Sequence, residues 1–182
     1  MIGLERLLEA FADAGVEFIV IGGIAARAHG SARITQDVDV VYARSDMNIG
    51  RLVSALAPFT PYVRGAPPGL PFAWSIATVT AGLNFTLTTT IGDIDLLGEV
   101  AGGGRYEDLV AHSVSLDAFG HPTPVVGLAW LIHLKRAAGR PKDFEVIAEL
   151  EALQEEIALL STPRSRTDAA DRPPTRSRRA RA

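Results

Sequence analysis

The spacing of apolar residues changes period several times along the chain, and each change marks an element. Leu4, Leu7, Leu8 and Phe11 recur at helical spacing and Gly15 is a stop signal, so residues 2–14 are predicted as an amphipathic helix. Residues 18–21 (FIVI) form a short β-branched and aromatic run, the pattern of a buried strand. Gly22-Gly23 allow a sharp turn, residues 24–29 fit a short helix, and Gly30 suits a left-handed cap. Asp37-Val38-Asp39-Val40 alternates polar and apolar positions and opens a second strand over 37–42. Side chains on a strand repeat every second residue, so Asp37 and Asp39 share a face.

Downstream, Ser45 or Asp46 caps a helix that runs to about residue 57 through Ile49, Leu52, Val53 and Leu56, and Pro58 and Pro61 end it. Four prolines and two glycines make 61–71 a loop, and 73–79 fits neither period. Residues 83–90 and 92–97 read as adjacent strands, and Gly102-Gly103-Gly104 as a turn before a short helix over 106–111. Residues 114–116 and 124–126 flank a hairpin. A helix over 128–138 stops at Gly139, and Pro141 fits the first turn of a last helix from about 142 to 160, with Val146, Ile147, Leu150, Leu153, Ile157 and Leu160 on one face. The order predicts an α+β domain over 1–160, with a mixed sheet flanked by helices.

After Ser161 the pattern disappears, and 161–182 is predicted as a disordered Arg-rich tail. This tail changes the meaning of the net charge of −3: it holds seven Arg against two Asp, so the first 160 residues carry a net −8. The arginines could add non-specific nucleic-acid affinity or form a solvated, dispensable terminus. An acidic body argues against broad nucleic-acid contact outside a local cleft. Cysteine is absent, which excludes disulfides, thiolate metal sites and a cysteine nucleophile. No apolar run approaches the roughly 20 residues of a membrane span. The N-terminal segment lacks a signal-peptide pattern, so a cytoplasmic protein is the default expectation.

The candidate chemistry lies between Phe18 and Tyr42. Free N–H groups at Gly22-Gly23, next to a helix start, suit phosphate. Two carboxylates on one strand face repel unless a cation lies between them, and a hard divalent ion such as Mg²⁺ takes oxygen ligands together with substrate phosphates. Asp93 and Asp95 share a face of the 92–97 strand, and parity cannot separate them.

The blocks GGIAARAHGSARITQDVDVV, GDIDLLGEV and LIHLKRAAGRPKD resemble the polymerase β-type nucleotidyltransferase superfamily, and most of all its small bacterial AbiEii-like members of toxin–antitoxin type. The resemblance spans nearly the whole body. It implies transfer of a nucleoside monophosphate from an NTP, ATP among them, to a hydroxyl of tRNA or protein, with two Mg²⁺ ions (Mn²⁺ as a substitute) and a cognate antitoxin as partner. It further implies that Gly22 and Gly23 hold the β- and γ-phosphates, that Asp37, Asp39 and Asp95 are catalytic and bind metal, and that Lys135 reaches the triphosphate. Gly23 stands where the superfamily usually carries serine. Lys135 and Lys142 are the only lysines, and the bland reading of Lys135 is a surface residue beside Arg136. Arg33 either contacts the nucleotide or, with Thr35, pins the loop before Asp37. His29, His133, Trp74 and Trp130 are read chiefly as packing residues. A rival of another class is a catalytically silent member that binds nucleotide or a partner; a second is a metal-dependent nuclease.

Overall fold

In the computed structural model, which describes residues 3–161 apart from Lys142, the strands join into one seven-stranded mixed sheet. The elements follow in the order α1 (Leu4–Ala14), β1 (Phe18–Ile21), α2 (Gly22–Ala28), β2 (Asp37–Tyr42), α3 (Asp46–Leu56), β3 (Tyr62–Val63), α4 (Ile76–Ala81), β4 (Asn84–Thr89), β5 (Gly92–Leu97), α5 (Tyr106–Leu109), β6 (Ser113–Ala118), β7 (His121–Val126), α6 (Leu128–Ala138) and α7 (Asp143–Ser161). The predicted tail beyond Ser161 lies outside the described residues. Among the described residues no helix is long and apolar enough to cross a membrane.

The strand order is β3-β4-β5-β2-β1-β7-β6. β1 is central, antiparallel to β2 and parallel to β7, and every one of its residues is buried. This explains its unbroken apolar run: a strand covered on both faces needs no polar alternation. β2 runs parallel to β5, and β5 is antiparallel to β4. Helix α1 covers the face bearing Val38 and Ile94, where Leu7 joins them. α6 packs on both α2 and α7. The core comprises side chains such as Phe11, Ile19, Leu52, Leu56, Leu96 and Leu131, all essentially fully buried.

Local signals set the element ends. Gly15 and Gly139 take the left-handed conformation at the ends of α1 and α6, as their position after a helical run predicts. Ser45 caps α3, its hydroxyl accepting a hydrogen bond from the Asn48 backbone N–H at 3.2 Å. The ambiguous 73–79 stretch becomes the loop before α4 and its first turns, capped by Ser75. Several boundaries differ from the sequence reading: the hairpin strands extend to Ser113–Ala118 and His121–Val126, and two further differences concern α2 and β3. α2 starts at Gly22 rather than Ile24, since the two glycines let the helix leave the strand with no linker. Tyr62–Val63 pairs with β4, a two-residue edge strand too short to show a period.

Asn48 ties α3 to the start of β1 and the end of β2. Its amide donates to the Glu17 carbonyl at 2.9 Å and the Ala43 carbonyl at 2.8 Å, and its side-chain oxygen accepts from the Glu17 N–H at 2.7 Å. The side chain is fully buried, so no water can replace these bonds. Asn48→Ala is expected to cost about 3 kcal/mol, since several buried backbone groups lose partners. Chemical denaturation checks this, with unchanged slope and a lowered midpoint as the expected result.

Candidate functional site

The parallel register of β2 and β5 places Asp37 beside Asp93 and Asp39 beside Asp95. Strand parity turns all four carboxylates to one face. Three of them, Asp37, Asp39 and Asp95, bring carboxylate oxygens within 4.8 Å of one another. Asp93 lies outside that group and faces Arg64, its Oδ2 at 3.1 Å from Nε. The convergent set is all oxygen and all anionic, the donor chemistry that a hard divalent cation takes.

Both glycines after β1 are shaped by this cluster. Gly22 has φ +64°, and a Cβ there would stand 1.9 Å from Asp39 Oδ2. Any side chain at Gly22 would therefore evict the carboxylate. The Gly23 N–H faces Asp39 and favours its charged form. A Cβ on Gly23 would stand 2.6 Å from both Cβ and Oγ1 of Thr35. The room that a serine would need at Gly23 is thus filled by Thr35, whose hydroxyl donates to Asp37 Oδ1 at 2.8 Å.

Burial raises the Asp39 carboxyl to about 6, helped by the nearby charges of Asp37 and Asp95 and opposed by the Gly23 N–H. Burial likewise raises Asp95, with Arg64 pulling the other way. These are the signs expected where like charges are gathered out of water, and such clusters mark candidate functional sites.

Arg64, immediately after β3, is the site residue that sequence reasoning missed. Its guanidinium lies 3.0 Å from Asp95, 3.1 Å from Asp93 and 3.8 Å from Asp37. A single arginine in a proline-rich stretch carries no signal; the β3-β4-β5 pairing alone carries it across to the acids.

On the other side, a cleft of about 220 Å³ is lined by Gly22 and Asp39, by Leu97 and Glu99 after the acids of β5, and by Lys135 and Arg140. Lys135 is buried on α6, with its Nζ 3.2 Å from Asp143 Oδ1; Arg140 Nε is 2.6 Å from Asp143 Oδ2. Burial opposes the charge on Asp143, but hydrogen bonds from Arg140 and Lys135 outweigh it and hold the carboxyl below its ordinary range. Asp143 therefore fixes two cations at the cleft wall. Lys142 lies outside the described residues.

Arg33 is not brought to the carboxylates. It pairs with Glu149 at 2.8 Å and Glu145 at 3.4 Å on α7, while Ser31 donates to Glu149 at 2.6 Å. Two acids one turn apart on an exposed helix face hold the 31–35 loop there. The rings settle as packing groups. His29 Nε2 meets the Val126 carbonyl, His133 Nε2 meets the Gly102 carbonyl, and Trp74 donates to the Val53 carbonyl while packing on Phe85. Trp130 stacks on His112.

No family model and no curated protein matches the chain. Solved structures do. The solution structure of the antibiotic-resistance factor ANT(2'')-Ia is 14% identical and covers 86% of this chain and 92% of its own, with a TM-score of 0.50. A candidate nucleotidyltransferase of Thermotoga maritima, TM1012, is 13% identical over 88% of this chain and 93% of its own, with a TM-score of 0.48. The crystal structure of ANT(2'')-Ia with adenylyl-2''-tobramycin is 15% identical over 87% of this chain and 97% of its own, with a TM-score of 0.46. The seven-stranded mixed sheet flanked by helices is a fold shared with the solution structure of ANT(2'')-Ia.

Proposed function

We propose that this protein is a metal-dependent nucleotidyltransferase that moves a nucleoside monophosphate from an NTP to a hydroxyl acceptor. The observation that carries the reading is the convergence of Asp37, Asp39 and Asp95 beside a glycine pair with no room for side chains, with Asp39 and Gly22 lining one cleft together with Lys135 and Arg140. The three carboxylates would hold two Mg²⁺, or Mn²⁺. Bound there, the ions supply charge neutralisation for the triphosphate and a lowered pKa for the acceptor hydroxyl.

The chain's own groups divide the remaining work. The bare backbone of Gly22 lets the triphosphate approach closely. Lys135 and Arg140, fixed by Asp143, offer positive charge to the departing pyrophosphate. The acceptor oxygen attacks the α-phosphorus, the α–β bridging oxygen leaves with pyrophosphate, and Asp95 takes the hydroxyl proton. Arg33 acts as a positioning residue, holding the loop that carries Thr35.

The acceptor we favour is a hydroxyl of tRNA or of a protein, in a toxin role countered by a cognate antitoxin. Its support is the His29-Gly30-x-x-Arg33-x-Thr35-x-Asp37-x-Asp39 pattern and the resemblance to AbiEii-like members. Purified protein incubated with Mg²⁺, each α-labelled NTP, and tRNA, cell extract or small polyols as acceptors tests it. Label on RNA or on a protein band supports the favoured acceptor, whereas label on small polyols alone replaces it. NTP bound without label transfer or pyrophosphate release in any mixture would move the silent-member reading to the front.

Asp39→Asn should lower transfer by more than about 100-fold, since a metal ligand is lost. It should also stabilise the metal-free protein. A carboxyl raised to about 6 is protonated in the fold at pH values where the unfolded chain has already ionised. Wild-type stability therefore falls as pH rises from about 4 to about 6, and the loss persists above that. With EDTA at pH 7.5, Asp39→Asn should gain about 1–3 kcal/mol over wild type, converging with it near pH 4. A variant less stable than wild type at both pH values would contradict this account of the cluster. Gly23→Ser, although it restores the usual residue of the superfamily, should destabilise by about 1–3 kcal/mol because Thr35 must move. Thermal melts of the two proteins, read side by side, check the sign.

A further inference from the structure

We propose that Arg64 is the resident counter-ion of the acid centre, and that divalent-ion loading requires it to give up Asp37 and Asp95 while Asp93 retains it. The inference rests on the metal-centre reading above and concerns how that centre is kept when no ion is bound.

The geometry carries it. One guanidinium spans three carboxylates on two strands, at 3.0, 3.1 and 3.8 Å. Two of those three, Asp37 and Asp95, belong to the convergent oxygen set, and Asp93 does not. A divalent ion among the set and a guanidinium on Asp95 compete for the same lone pairs and repel each other. Arginine cannot relieve this by losing its proton, so it has to move. Asp93 offers it a second resting place on the same strand face, one register step from Asp95. The present seating is imperfect. Nε is shut off from solvent and close to Asp93 without a well-formed hydrogen bond, so the fork spends one donor poorly.

The backbone favours such a shift. Arg64 directly follows the two-residue edge strand β3 and is tied to β4 by its own N–H to the Thr86 carbonyl at 3.0 Å. Next comes Gly65 at φ +75°, with nothing within 4 Å of where its Cβ would be. Nη2, the nitrogen that meets Asp95, also donates to the Leu87 carbonyl at 3.2 Å, so the swing releases that bond as well. The backbone bond to Thr86 does not involve the guanidinium, so the tip can swing while the backbone stays in place.

Mn²⁺ binding to the full chain, followed by the loss of the free-ion paramagnetic resonance signal, tests the proposal without using turnover. Arg64→Gln removes the competing charge and should bind Mn²⁺ about tenfold tighter than wild type, the scale of one charge-assisted contact. Arg64→Lys keeps the charge but not the fork and should fall between the two. In EDTA, Arg64→Gln should melt below wild type, and its rise in melting temperature on adding Mn²⁺ should be the larger. Equal or weaker Mn²⁺ affinity in both variants overturns the role of Arg64 and leaves the metal centre standing. Mn²⁺ binding to none of the three proteins overturns the metal centre and this inference with it. Should Arg64→Gln fail to fold, Arg64→Lys decides alone: tighter binding than wild type supports the proposal, and equal or weaker binding overturns it.

Discussion

Four aspartates stand on one face of two neighbouring strands because β2 and β5 run parallel in a register that pairs Asp37 with Asp93 and Asp39 with Asp95. Like charges directly opposite one another destabilise a sheet. The rest of the site reads as a set of answers to that repulsion. Asp39 is partly relieved by the Gly23 N–H, Asp37 by the Thr35 hydroxyl, and Asp93 and Asp95 by Arg64. Buried charge is tolerated where it is paired and hydrogen-bonded, as Asp37 is by Thr35 and Asp95 by Arg64.

The glycine pair and the loop before β2 form one mechanical unit with the acids. Gly22 leaves room for the Asp39 carboxylate, and Gly23 leaves room for Thr35. The loop carrying Thr35 is in turn held by Ser31 and Arg33 on Glu149 of α7. The last helix therefore reaches the acid centre twice, once through that loop and once through Asp143, which fixes Lys135 and Arg140 at the cleft. Positioning by packed elements and secondary hydrogen bonds is what a reacting centre needs, since small misplacements cost rate steeply. The fold is shared with ANT(2'')-Ia, while the chemistry proposed for it rests on these particular side chains.

Much of the architecture was legible in the sequence because its signals are local. β1, β2 and α6 fall on the residues where apolar runs, alternation and helical spacing place them, and Ser45, Gly15 and Gly139 cap where their chemistry predicts. The 37/39 pairing on one face also follows from strand parity alone. Parity says nothing, however, about which strand lies alongside. The choice between Asp93 and Asp95 as the third converging acid needed the β2–β5 register and the position of Arg64.

By itself, then, the sequence determined an α+β domain, a glycine turn after a buried strand, and two carboxylates on one face of the next. These depend on backbone periodicity and on the conformational freedom of glycine, both readable within a few residues. Tertiary structure alone decided that Arg64 meets the acids, that Arg33 turns to α7, that Thr35 fills the space beside Gly23, and that Lys135 is fixed by Asp143. Each of those contacts joins residues from different elements, and which side chains meet depends on strand order and helix packing, which no local pattern encodes.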